Sequence, residues 1–122
     1  FPYTTRFRAA RMAPSVIASG GGWVLNTDAR AHLLGSGRII YLRVAPEAAV
    51  RRMGRGIRRR PLLVSSGDPY EAMRMIYEAR KAAYESCSEM TVETGNIARS
   101  NVIARVVELV LSAERDFENE ND

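Results

Sequence analysis

The sequence has one cysteine, one histidine and one lysine. Cys87 by itself excludes an internal disulfide and fits a reducing compartment, so a cytoplasmic protein is expected. Cys87 and His32 are too few for a tetrahedral zinc set, and no metal ligands are assigned. No apolar run approaches the ~20 residues that cross a bilayer. No continuous apolar segment marks a secretory leader near residue 1. The sole lysine, Lys81, has no glycine-rich stretch before it, so the phosphate-cradling pattern G-x-x-x-x-G-K-[ST] is missing from these 122 residues.

What is present is arginine. There are 17, and six fall in "RRMGRGIRRR", residues 51–60. The net charge is +4, but the last nine residues, "ERDFENEND", carry five acids and one arginine, so residues 1–113 hold about +8. Such a run is either a solvated basic face or a contact for anions, phosphorylated small molecules and nucleic acid among them. It lacks the interleaved aromatics that stack bases, which weakens the nucleic-acid reading.

The chain alternates strand and helix patterns. "SVIAS" (15–19), between Pro14 and three glycines, is expected to be a buried strand. "TDARAHLLGSG" predicts a short helix capped by Asn26 or Thr27 and stopped near Gly35. "RIIYLRV" (38–44) is the clearest strand, and Pro46 opens a helix that ends near Gly54. Asp68, Pro69 and Glu71 give the next, longer helix a strong start signal. "EMTVET" (89–94) is expected as a third strand. Ser100 is the expected cap of a last helix striped by Val102, Ile103, Val106, Val107 and Val110. The acidic end, 114–122, is expected to fray. This order implies an α/β fold with parallel strands, and ligands of such sheets bind beyond the strands' carboxyl ends.

Two features stand out at that end. "GGG" (20–22) bares a patch of backbone, which serves either a ligand pressed against it or a tight turn clearing a neighbour. On the long helix, Met73, Ile76, Tyr77, Arg80, Ala83, Tyr84 and Cys87 share one face, with Arg80 in the middle of the apolar stripe. A guanidinium there meets an anion, pairs with an internal acid, or snorkels to water.

"VIASGGGWVLNTDAR", "RIIYLRVAPEAAVRR", "RRPLL" and "EARKAAYESCSEMTVET", in that order and at similar spacings, resemble the last two thirds of a shikimate kinase over about residues 14–112. The resemblance implies a partial three-layer P-loop kinase fold with a parallel sheet, lacking the N-terminal P-loop strand. It implies a monomeric enzyme that transfers the γ-phosphate of ATP, with Mg²⁺, to the 3-hydroxyl of shikimate for aromatic amino acid biosynthesis. It places Gly20, Gly21, Gly22 and Arg80 at shikimate, Arg60 in the lid (about 51–62) at the nucleotide phosphates, and Arg52 and Arg99 at the nucleotide. The domain would span 14–113, after a non-native or disordered segment 1–13 and before the tail 114–122.

The opening "FPYTTRFRA" is similar at seven of nine positions to the translation of a common sequencing adapter, "FPYTTLFRS", and is set aside. The family's phosphate loop, the upstream aspartate that orients the reacting hydroxyl and a second substrate-binding arginine have no counterpart here; Asp28 lies on the wrong side of the glycines. The expectation is a fragment with little activity of its own. In the intact family the P-loop strand lies between the strands matching 15–19 and 38–44. Without it, those two must pair directly or leave facing edges unpaired. The rival readings are another small P-loop kinase, for gluconate or a nucleotide, and a noncatalytic arginine-rich nucleic-acid module.

Overall fold

The computed structural model describes residues 15–35, 37–64 and 67–122. Two short strands form its sheet: β1 (Ile40–Arg43) and β2 (Met90–Glu93). They pair in parallel, Ile40 opposite Met90 through Arg43 opposite Glu93. The connection between them consists of α-helical and 3₁₀ segments, as parallel pairing demands. Ion pairs bracket the ladder. Arg38 meets Glu89 at 3.2 Å before it, and Arg43 meets Glu93 at 2.7 Å across its last register pair. Thr94 is buried just past β2, and its hydroxyl and backbone N–H both donate to the Arg43 carbonyl.

The strand expected at 15–19 is not there. Residues 15–20 lie in no regular element, and Val16 is fully exposed. A strand persists only where a neighbour takes up its backbone groups, and β1 pairs among the described residues with β2 alone. Among the described residues 15–19 does not pair with β1, whose second edge has no strand partner.

A single 3₁₀ turn, Gly22–Leu25, follows the glycines, then helix α1 (Thr27–Leu34). Asn26 is the cap: its side chain accepts from the Ala29 N–H at 2.9 Å. Helix α2 (Pro46–Met53) starts on proline and ends at Gly54, whose φ of 48° suits glycine. A 3₁₀ segment (Gly54–Arg59) and a one-turn helix α3 (Pro61–Val64) lead to α4 (Pro69–Cys87). Asp68 caps α4 by accepting from the Tyr70 N–H, while the Glu71 carboxylate turns to Arg74 at 2.8 Å.

Helix α5 (Arg99–Asn121) packs on β2. Its cap position is Ala98 rather than Ser100, because Ala98 is the last extended residue and Ser100 already lies within the first turn. It runs on through the acidic end, where fraying was expected, to Asn121. The core is small: Trp23, Val24, Ala29, Leu33 and Cys87, with Ile39, Ala83 and Tyr84 packed against it.

Candidate functional site

The glycine segment, β1, α2, the start of α3 and α4 surround a cavity of about 600 Å³. Its walls are mostly apolar, from Ile17, Leu42, Met53 and Met73 among others. Into this wall α4 sends Arg80. The stripe read from the sequence is the face that α4 turns inward: Met73, Ile76, Tyr77, Arg80, Tyr84 and Cys87 all line the cavity, and Ala83 packs on the core.

Arg80 is half-buried and makes no ion pair with any carboxylate among the described residues. Instead its guanidinium lies beside the glycines. A methyl group placed on Gly21 would sit 3.3 Å from Arg80 Nη1, and one on Gly22 3.8 Å from Nη2. The structure therefore brings together the bare backbone and the cation that the sequence could only juxtapose by resemblance. Such a pair suits a small acid: the fork of a guanidinium matches a carboxylate, and an apolar wall strengthens the attraction.

The three glycines have different reasons. Gly20 has φ 70°, a conformation that side chains disfavour. Gly21 has an ordinary backbone (φ −107°, ψ −23°), but a Cβ there would collide with the Tyr84 hydroxyl oxygen. Gly22 has room for a methyl group at ordinary contact distance.

Tyr84 is the residue the sequence reading left without a role. Its hydroxyl donates to the Gly21 carbonyl at 2.9 Å, and its ring stacks on Tyr41 with centroids 5.0 Å apart. Burial, with smaller contributions from Tyr77 and Tyr84, raises the Tyr41 phenol above its ordinary pKa. The available signal was Tyr84's place one turn beyond Arg80 on the same face.

The other arginines divide. Arg60 sits at the cavity, at the junction of the 3₁₀ segment and α3. Arg52 faces away from the cavity and donates to Thr94 Oγ1 (3.2 Å) and to the carbonyls of Gly95 (3.0 Å) and Ile97 (3.4 Å), tying α2 to the loop after β2. Arg99 is exposed on the first turn of α5 and does not line the cavity. Among the described residues no three of His, Cys, Asp and Glu gather where they could hold a metal ion.

The described residues form a mostly helical α/β domain with a parallel sheet, in which an arginine stands against bare backbone in a concave site. The relatives are specific. The family model "Shikimate kinase" matches residues 7–111. A shikimate kinase of Symbiobacterium thermophilum is 37% identical over 102 residues, covering 83% of this chain and 58% of that protein. One from Thiobacillus denitrificans is 42% identical over 79 residues, covering 65% of this chain and 42% of that protein. The solved structure of the Acinetobacter baumannii shikimate kinase in complex with shikimate superposes with a TM-score of 0.80 at 26% identity, over 91% of this chain and 62% of that one. The chain belongs to the shikimate kinase family. It spans about half the length of these two curated relatives. The match begins at residue 7, upstream of the expected start at 14 and inside the segment set aside as adapter-like, which lies outside the described residues. No helix among the described residues is long and apolar enough to cross a membrane.

Proposed function

We propose that these residues form the acid-binding half of a kinase that phosphorylates the 3-hydroxyl of shikimate with ATP. The observation that carries this reading is the Arg80 guanidinium, unpaired with any carboxylate among the described residues and set against Gly21 in the wall of a cavity, with Gly22 beside it but outside the lining. The family membership and the shikimate in the A. baumannii structure support it. Shikimate's carboxylate would lie on Arg80, with its ring over the glycine backbone. Residues 51–62 would act as the lid, with Arg60 reaching the nucleotide phosphates. Gly54 within this segment and Gly67 beyond it, both at positive φ, are points where the chain can change direction. ATP and Mg²⁺ are the family's co-substrate and metal. Arg60, with Arg52 and Arg99, would be this chain's contribution to holding the nucleotide, and no phosphate-loop pattern is found among the 122 residues. Monomeric action in the cytoplasm belongs to the same proposal.

The sole tryptophan, Trp23, lines the cavity and reports on it. Titrating the purified chain with shikimate should change Trp23 fluorescence saturably. Gluconate should not, and ADP release in a coupled assay with Mg·ATP should stay near background. Equal responses to both acids would overturn the substrate assignment, and robust turnover would overturn the reading of this stretch as half a catalytic site.

A further inference from the structure

Thr94, just past β2, is the one buried polar side chain among the described residues. Its hydroxyl bonds in both directions. It donates to the Arg43 carbonyl at 2.9 Å and accepts from Arg52 Nη1 at 3.2 Å, as one proton and two lone pairs allow. The Thr94 N–H donates to the same Arg43 carbonyl at 2.8 Å. Arg52 Nη2 donates to the carbonyls of Gly95 and Ile97, at 3.0 and 3.4 Å. Those two acceptors belong to the loop after β2. Of the three, Thr94 Oγ1 alone is itself bonded to the sheet, at the last residue of β1.

Arg52 is the penultimate residue of α2, and the chain turns directly afterwards at Gly54, with φ 48°. Met53 lines the cavity, residues 54–59 do not, and Arg60 does again. Beyond Arg60, Leu63 of α3 is only 2% exposed and fixes the far end. The strip between, Gly54–Arg59, has no buried residue to hold it down. Arg55, Arg58, Arg59 and Arg60 make no ion pair among the described residues. Their mutual repulsion favours an open strip. What carries Arg60 to the cavity is therefore anchored by burial on one side and by the bonds of Arg52 on the other.

We propose that Thr94 is a positioning residue for the lid: through Arg52 it ties the lid's root to the sheet, so that the part that moves is 54–60, turning at Gly54, and Arg60 approaches the cavity from a fixed point. The inference rests on the reading of residues 51–62 as a lid. Thr94→Val isolates the tie. The variant keeps the side chain's shape and the backbone N–H, so the Arg43 carbonyl stays partnered. Arg52 is exposed, and its freed Nη1 turns to water. No buried polar group is stranded, and only the bond between the two residues is lost.

Hydrogen–deuterium exchange on the full 122-residue chain reads the tie. In Thr94→Val the amides of 54–60 should exchange roughly tenfold faster, the loss of one hydrogen bond to a charged group, while those of α4 stay within about twofold of wild type. Thr94→Ser, which restores a hydroxyl, should return 54–60 to wild-type exchange. If 54–60 is unchanged in Thr94→Val, or if α4 speeds up along with it, Thr94 serves packing alone and the proposal is wrong. Should Thr94→Val fail to fold, Arg52→Met, altered at an exposed position, should show the same local rise; wild-type rates there contradict the tie. In the double variant, 54–60 should exchange no faster than in Arg52→Met alone. Additive effects would mean that the two residues act separately, and the proposal would fail. Exchange needs no ligand, so the two readings fall separately. A chain that binds no shikimate overturns the site and leaves the tie standing, and unchanged exchange in the variants does the reverse.

Discussion

At residue 21 the presence of glycine has a steric cause. Its backbone angles are open to any residue, so the constraint comes from across the cavity. Gly21→Ala should push the Tyr84 hydroxyl and Arg80 aside, cost about 1–3 kcal/mol of stability and weaken shikimate binding. Gly22→Ala, with its methyl in ordinary contact, should change stability by no more than about 0.5 kcal/mol. Thermal melts of the two variants, with Gly21→Ala repeated in a Tyr84→Phe background, check this: the double variant should recover part of the loss, because the closest approach is to the hydroxyl oxygen. Equal melting temperatures for the two single variants would contradict it. From the sequence the three glycines are one motif. The reason at residue 21 depends on Tyr84, 63 residues away along the chain, and could not be read from the motif.

The elements show where local rules suffice. Asn26 and Asp68 cap their helices as side-chain chemistry predicts, and Pro46 and Pro69 open theirs. The α4 stripe was readable because a helix that packs on one side must repeat at its own pitch. The segment 15–19 was not, because apolar composition marks a strand but only a partner makes one. The partners of Arg52 were hidden for a related reason: its place on α2 was clear, but its three acceptors lie in a loop more than 40 residues on. The ladder also carries a pH dependence. The hydrogen bond from Arg43 holds the Glu93 carboxyl below the ordinary 4.5. Glu47 is lowered too, first by its own backbone N–H and then by Arg74. A carboxyl depressed in the folded state contributes stability that is present above its unfolded pKa and lost as pH falls through the folded value. Melting temperature should therefore decline between about pH 5 and 3. Glu93→Gln should flatten that decline slightly, since the pair is half-exposed and screened. An identical acid limb in the variant would show that Glu93 does not contribute.

The whole molecule is lightly built. Its buried cluster centres on Trp23, Val24, Ala29, Leu33 and Cys87, and α5 has no buried residue among the described ones. Trp23→Ala should cost about 3–5 kcal/mol, a large part of the about 5–15 kcal/mol that domains of ordinary stability possess. Urea unfolding should place its midpoint far below wild type's, and a midpoint unchanged would mean that the core lies elsewhere. At this scale the fold class was legible from the alternation of elements, and so was the convergence of residues 20–22 with residue 80, through the resemblance. Which edges of the sheet pair was not legible, since the energy of an unpaired edge depends on what water and neighbours supply.

In the proposed site, Arg80 and the bare backbone beside it hold one carboxylate. Isothermal titration of shikimate into wild type and Arg80→Met, at the same ionic strength, measures it most directly. Kd should rise at least roughly tenfold in the variant, with its circular dichroism spectrum unchanged. A folded Arg80→Met protein that binds shikimate as tightly as wild type would contradict it.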